Sequence, residues 1–258
     1  MELASLRKEG HVSIVTLQRP DALNAISGAM AGELATLFEQ VTEDPDTWVM
    51  VLRAEGEKAF CVGADLKERA GFTLAQFHDN RAQVRRLFTA LREVPQPTIA
   101  AVFGFALGGG FELALSCDLI VAAEGTKLGL PEARVGLLPA GGGTQLLTRK
   151  VGIARSKELI FRSRRLDATE AQQLGLVADV VPRAELDERA RSVADDLCKA
   201  SPVALREAKR SIDAALGVPL DDGIEIEHAS WRVVIESDDR AEGIAAFAEK
   251  RDPRWQNR

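Results

Sequence analysis

Apolar runs of strand length alternate with helical stretches along most of this chain, at a short and regular pitch. "HVSIVTLQRP" alternates and stops at a proline, so it reads as a strand. "SGAMAGELATLFEQVTED" follows with helical spacing, and Ser27 is placed to cap it. "WVMVLRAE" is a second strand, and "KAFCVGADLKE" is a short apolar piece that breaks into a glycine turn. "LAQFHDNRAQVRRLFTALREV" is an amphipathic helix ended by "PQP". The order then recurs: strand "TIAAVFG", helix "GGFELALS", strand "LIVAAE", short strand "KLGLPE", helix "GGTQLLTRKVG". Such alternation defines an α/β domain. Beyond about residue 185 the strand signals stop and four helical segments follow, one opened by Ser201 as N-cap and Pro202 as first helical residue. The expected organisation is a core over residues 1–200 and a helical appendage over 201–258, packed on the core or on a neighbouring subunit.

Composition narrows the class. Of 258 residues, 46% are hydrophobic and 28% charged, the profile of a globular chain. A formal net charge of -6 speaks against duplex nucleic acid as the main partner. Cys61, Cys117 and Cys198 lack metal-site or disulfide spacing and read as reduced, mostly buried thiols. The N-terminal "MELASLRKEGHVSIV" lacks a signal-peptide core, and no apolar run reaches membrane-spanning length. A cytoplasmic location is expected, or an organelle matrix if a presequence has been removed.

No Walker A, G-x-S-x-G or H-E-x-x-H sequence is present, and His11, His78 and His228 share no motif. A histidine-based hydrolase or metalloenzyme is therefore not expected. Two features remain. The turns "FCVGADLKE" and "FALGGGFE" each follow a strand and offer backbone N–H groups with few side chains in the way; the second also opens a helix. Glu112 and Glu132 each lie just beyond a strand end, and two carboxylates can hold a water and move protons to and from carbon. Pattern alone leaves a structural reading open. Such glycines also serve tight turns, and an acidic residue in the first turn of a helix complements its dipole.

Four segments, "AFCVGADLKE", "IAAVFGFALGGGFELALSCDLIVAAE", "LGLPEARVGLLPAGGGTQLL" and "EGIAAFAEKRDPRW", resemble the enoyl-CoA hydratase/isomerase (crotonase) family in order and spacing. The resemblance implies a crotonase-like spiral of ββα units with a C-terminal helical trimerisation region, self-associating as a trimer or a dimer of trimers. It implies an oxyanion hole from the N–H groups of Ala64 and Gly109, and Glu112 and Glu132 as the catalytic pair. Each donor of such a hole contributes ~3 kcal/mol because its dipole is fixed before the charge appears. The implied reaction is reversible addition of water across the 2,3 double bond of an enoyl-CoA thioester, with no cofactor beyond the coenzyme A of the substrate.

For coenzyme A the family positions are Ala22 and Leu23 in "DALNA", Lys58, Asp65, Leu66, Lys67, Trp231 and Lys250, the last from a neighbouring subunit. Many family members carry lysine where Asp21 stands here. "FCVGADLKERAG", "GGGFELALSCD" and "KELIFRSR" are similar to the methylglutaconyl-CoA hydratases of leucine breakdown, which implies an acyl group with a second carboxylate and makes Arg69 and Arg134 its candidate partners. A general short-chain hydratase of fatty-acid β-oxidation is the alternative. Members of the methylglutaconyl branch are also linked to RNA binding. Arg81, Arg85 and Arg92 share a helical face, so an RNA-binding protein on the same fold is the alternative of another class, with nucleic acid not the expected partner.

Overall fold

The computed structural model describes residues 2–258. The chain runs through β1 (Ala4–Glu9), β2 (Val12–Leu17), α1 (Gly28–Glu43), β3 (Val49–Ala54), β4 (Ala59–Cys61), α2 (Leu66–Arg69) and α3 (Leu74–Glu93). It continues through β5 (Thr98–Val102), β6 (Phe105–Leu107), α4 (Gly109–Ser116), β7 (Leu119–Ala123), β8 (Lys127–Gly129), α5 (Gly143–Val151) and α6 (Ile153–Phe161). The remainder comprises β9 (Arg165–Asp167), α7 (Ala168–Gln173), β10 (Asp179–Val181), α8 (Leu186–Leu197), α9 (Pro202–Ala214), α10 (Leu220–Glu236) and α11 (Asp238–Glu249).

The strands form two sheets. A six-stranded sheet has the order β1-β2-β3-β5-β7-β10, parallel except for the β1–β2 pair. A four-stranded sheet has the order β4-β6-β8-β9, parallel except for β8–β9. Every residue of β2 and of β5 is buried, as expected for strands covered on both faces. One apolar core gathers Leu17, Leu52 and Ile99 from the large sheet with Leu34 and Phe38 from α1 and Leu87 and Leu91 from α3. Helix α1 packs on α3, and α8 packs on β3, β5 and β7.

The local signals behave as the sequence led one to expect. The Ser27 hydroxyl accepts from the N–H of Met30 and opens α1; Ser201 accepts from Ala204 and opens α9 behind Pro202. Residues 109–116 form the α4 helix. The edge strand β1, the short strands β6, β9 and β10, and helices α6 and α7 had not been foreseen. Each of the unforeseen strands has no more than six residues, and β1 carries Arg7, Lys8 and Glu9 along an exposed edge, which masks its alternation.

The two sheets follow the chain in alternation: β3 then β4, β5 then β6, β7 then β8, each pair sending one strand to either sheet. Gly104 has φ of 58°, and it turns the chain from β5 into β6 where any side chain would run into the backbone of Lys58. Close approach continues in α4. A methyl group on Gly110 would overlap the carbonyl of Cys61, so helix α4 lies directly on the backbone of β4. The last three helices, α9 to α11, carry much of the chain's exposed apolar surface, with Leu220 78% and Phe247 88% exposed. Among the described residues no helix is long and apolar enough to cross a membrane.

Candidate active site

Strands β4, β6 and β8 lie side by side and parallel, so their C-terminal ends open on one edge of the small sheet. Ligands of parallel α/β sheets bind outside that edge. Strand β4 leads into Gly63-Ala64, β6 into Gly108-Gly109 and helix α4, and β8 into a 3-10 turn, Glu132–Val135. The N–H of Gly108 donates to the carbonyl of Gly129 at 2.8 Å and ties the second end to the third. A cavity of about 700 Å³ lies beyond these ends, and Ala64, Gly109, Glu112 and Glu132 all line it.

The backbone around Ala64 is held by its neighbours. The Gly63 carbonyl accepts from Ile26 at 2.7 Å, and the N–H of Asp65 donates to the Ile26 carbonyl at 3.0 Å. Ala64 thus sits between two bonded groups with its own N–H turned away from Ile26. Gly109 begins α4, where an N–H has no acceptor within the helix. Among the described residues neither N–H has a backbone acceptor outside its own element. A Cβ placed on Gly109 would stand 3.9 Å from the Ala64 nitrogen, so the two donors are neighbours. Gly63 at φ 88° and Gly108 at φ 55° supply the left-handed turns that aim them.

Glu112 is 3% exposed, on a helix whose other central residues are apolar and buried. Its Oε1 accepts from the N–H groups of Gly141 and Gly143, both at 2.7 Å. Burial raises its pKa, opposed by the N–H of Gly143, that of Gly141 and the charge of Arg81. Glu132 is held differently. Its Oε2 is buried with no hydrogen-bond partner among the described residues, and burial, reinforced by the charge of Glu112, pushes its pKa up to about 7. Oxygen Oε1 of Glu132 faces Gly108, where an added Cβ would lie 3.1 Å away. Two donors for a developing oxyanion and two carboxyls, one anchored and one free to carry a proton near neutrality, therefore surround one cavity.

The cysteines offer no competing nucleophile. Cys61 and Cys117 are buried and Cys198 partly so; burial pushes the first two thiols up to about 12 and the third to about 11. His11 stacks on Trp48 with ring centroids 3.6 Å apart, a packing role.

Of the residues expected to hold coenzyme A, Leu66 lines the cavity, and Ala22, Leu23, Lys58, Asp65, Lys67, Trp231 and Lys250 lie outside its walls. Ala22 and Leu23 close a 3-10 turn whose Leu23 carbonyl accepts from Val62 at 3.2 Å, beside the Ala64 turn. The Asp65 carboxylate is committed within the protein: it bonds Arg19 at 2.6 Å and caps α2 through the N–H groups of Lys67 and Glu68. Lys58, Lys67, Trp231 and Lys250 are exposed. Arg69 and Arg134 line the cavity, and the buried Nε of Arg69 has no partner among the described residues.

Several wall residues had not been singled out from the sequence. These are Arg165, Ser163, whose buried hydroxyl has no partner among the described residues, and the glycine loop that binds Glu112. The run Gly141-Gly142-Gly143 repeats the pattern of Gly108-Gly109-Gly110 ahead of a helix, and that repetition was the available signal. A side chain at Gly141 would meet Phe88 and the Glu112 carboxylate, so only bare backbone can close on the acid there.

The comparisons agree with this geometry. The family model described as enoyl-CoA hydratase/isomerase matches residues 7–258. The human enoyl-CoA hydratase domain-containing protein 2, mitochondrial, is 42% identical over 248 residues, covering 95% of this chain and 85% of that protein. The crystal structure of enoyl-CoA hydratase from Bacillus anthracis superposes with a TM-score of 0.97 at 41% identity, covering 100% of both chains. That of Mycobacterium smegmatis gives 0.92 at 31% identity, covering 99% of both. The chain belongs to the enoyl-CoA hydratase/isomerase, or crotonase, family.

The Glu132 environment has a consequence for stability. Its folded-state pKa lies above the ordinary 4.5, so the folded chain holds a proton that the unfolded chain releases. Stability from this group is complete below its unfolded pKa and is lost as pH rises through about 7. Glu132→Gln should therefore raise Tm relative to the native chain at about pH 8 and by much less at about pH 5. Calorimetry at the two pH values checks this; an equal difference at both would contradict the burial cost.

Proposed function

We propose that the protein hydrates 2-enoyl-CoA thioesters reversibly. The observation that carries this reading is the convergence of two unsatisfied backbone donors and two carboxyls of unlike environment on one cavity. The thioester oxygen is taken between the N–H groups of Ala64 and Gly109, which draws electron density from C3. Glu112, anchored through Oε1, orients a water with its other oxygen. Glu132 in its ionised form removes a proton from that water as the oxygen bonds to C3, and the charge moves onto the thioester oxygen as an enolate. The enolate collapses, C2 takes the proton back from Glu132, and a 3-hydroxyacyl-CoA results with the carboxylate restored. Dehydration is the same path reversed.

The backbone of Ala22 and Leu23, with Asp65, Leu66, Lys58 and Lys67, receives the coenzyme A moiety, with Trp231 and Lys250 near its adenine end. Lys250 acts from a neighbouring subunit. The RNA-binding alternative is weakened by the use of its arginines: Arg81 donates to the Ala140 carbonyl at 2.7 Å and Arg92 to that of Gly141 at 2.9 Å. Only Arg85 of the three has no such bond among the described residues.

Glu112→Gln and Glu132→Gln should each lower kcat for hydration by roughly a hundredfold in a folded protein, the scale of general acid–base catalysis. The native kcat/KM should rise with pH through an apparent pKa near 7, since the base must be ionised. In Glu112→Gln the residual activity should show this limb at lower pH, because the charge that raises Glu132 is gone. Loss of the enoyl thioester absorbance measures all three quantities.

The finer substrate reading is an acyl group with a second carboxylate, 3-methylglutaconyl-CoA. Its support is the unpaired Nε of Arg69 in the cavity wall and the presence there of Arg134 and Arg165. An unpaired anion in such a pocket would be costly, and a guanidinium pairs it in two-point fashion. The expected outcome is a higher kcat/KM for 3-methylglutaconyl-CoA than for crotonyl-CoA by roughly thirtyfold, narrowed in Arg69→Met or Arg134→Met. Equal use of the two substrates would leave the general short-chain hydratase.

Assembly completes the proposal. Exposed Ile212, Leu216, Leu220, Ile224 and Phe247 on α9 to α11 and their connections form apolar surface of the kind that self-association covers. Sedimentation of the whole chain is expected to show a trimer or a dimer of trimers; a stable, active monomer would refute it.

A further inference from the structure

The loop that binds Glu112 is itself gripped from its other side. Residues Ala140 to Gly142 run between α3 and α4. The Arg81 Nη2 donates to the Ala140 carbonyl at 2.7 Å, and the Arg92 Nη1 donates to the Gly141 carbonyl at 2.9 Å. The Ala140 carbonyl and the Gly141 N–H belong to the same peptide unit. A guanidinium charge thus meets one end of that peptide while its other end donates to Glu112 Oε1 at 2.7 Å. Hydrogen bonds in such a chain strengthen one another, since each polarises the next. Arg92 fixes the following peptide plane, whose glycine stands at φ 128°, a conformation that needs holding.

We infer that Arg81 and Arg92 are positioning residues for Glu112: acting through the Ala140–Gly142 backbone, they hold its carboxylate in place and in its ionised form. This inference rests on the hydratase reading above, in which Glu112 orients the water. The charged groups facing Glu112 are Arg81 and Arg92 from α3 and Glu132 from the 3-10 turn, with Arg69 from α2 adjoining Arg81. Two cations thus act against burial and against the second carboxylate. Neither touches the reacting atoms through this route. Both arginine side chains remain open to solvent, yet each places a guanidinium N–H on a carbonyl of the glycine loop.

The test uses Arg81→Met and Arg92→Met in the intact chain, each alone and on the Glu112→Gln background. Each single variant is expected to lower kcat roughly tenfold, the size of one charge-assisted hydrogen bond, with KM within about twofold. Carboxyl carbon-13 NMR should show the Glu112 titration moving up by about half a pH unit or more, whatever the turnover. Arg92→Lys should retain most of the native rate, since an ammonium can serve the same carbonyl. On the Glu112→Gln background neither arginine change should cost anything further. An unchanged Glu112 titration in both variants overturns the inference, as does a full tenfold loss on the Glu112→Gln background. Native turnover by Glu112→Gln alone would instead remove the hydratase mechanism, and the NMR titration would still decide whether the arginines govern the carboxyl.

Discussion

Parallel pairing of β4, β6 and β8 is the constraint on which the site depends. The pairing brings three strand ends, separated by dozens of residues in sequence, onto one edge, and Gly108 bonded to Gly129 fixes the second against the third. Because the strands are parallel, each must be reached by a crossover through the large sheet and a helix. The rest of the fold provides those crossovers. The core of α1, α3 and the six-stranded sheet can therefore be read as the support that keeps three short strands in register.

Short strands cannot hold such an edge by hydrogen bonds alone. Close backbone approach does much of the remainder: Gly110 lies against Cys61, and Gly63 against the Gly108-Gly109 turn. Where side chains are absent the helix and the strand come within reach of each other, and the N–H groups of Ala64 and Gly109 end up as neighbours. The same lack of side chains that lets the pieces pack leaves the donors uncovered. Packing and function ask for the same residue here.

The carboxyls show the opposite economy. Glu112 is buried yet satisfied, and Glu132 is half-buried, with a buried oxygen that has no partner among the described residues. An unsatisfied buried carboxyl opposes folding, and a protein keeps one only where the surrounding structure outweighs it. The difference between the two environments is what separates an anchored carboxylate from a proton carrier with a pKa pushed up to about 7. It arises from the glycine loop at 141–143, which reaches Glu112 but not Glu132.

Much of the fold was legible in the sequence because its causes are local. Hydrophobic period gave the long helices and the buried strands, Ser27 and Ser201 gave helix starts, and glycine runs marked the turns where backbone must come close. The candidate site residues were legible through their order and spacing, in a pattern that the crotonase family shares. The short strands β6, β9 and β10 were not, since three residues carry too little period to distinguish strand from turn. Nor were the partners of the carboxyls. Gly141 lies 29 positions from Glu112, and Arg81 a further 59 from the Ala140 it holds, so no local rule links them. The sequence by itself determined which elements form and which side chains are available for chemistry. Only the tertiary structure decided which carboxyl is anchored and which is free, because that depends on burial and on donors brought in from distant segments.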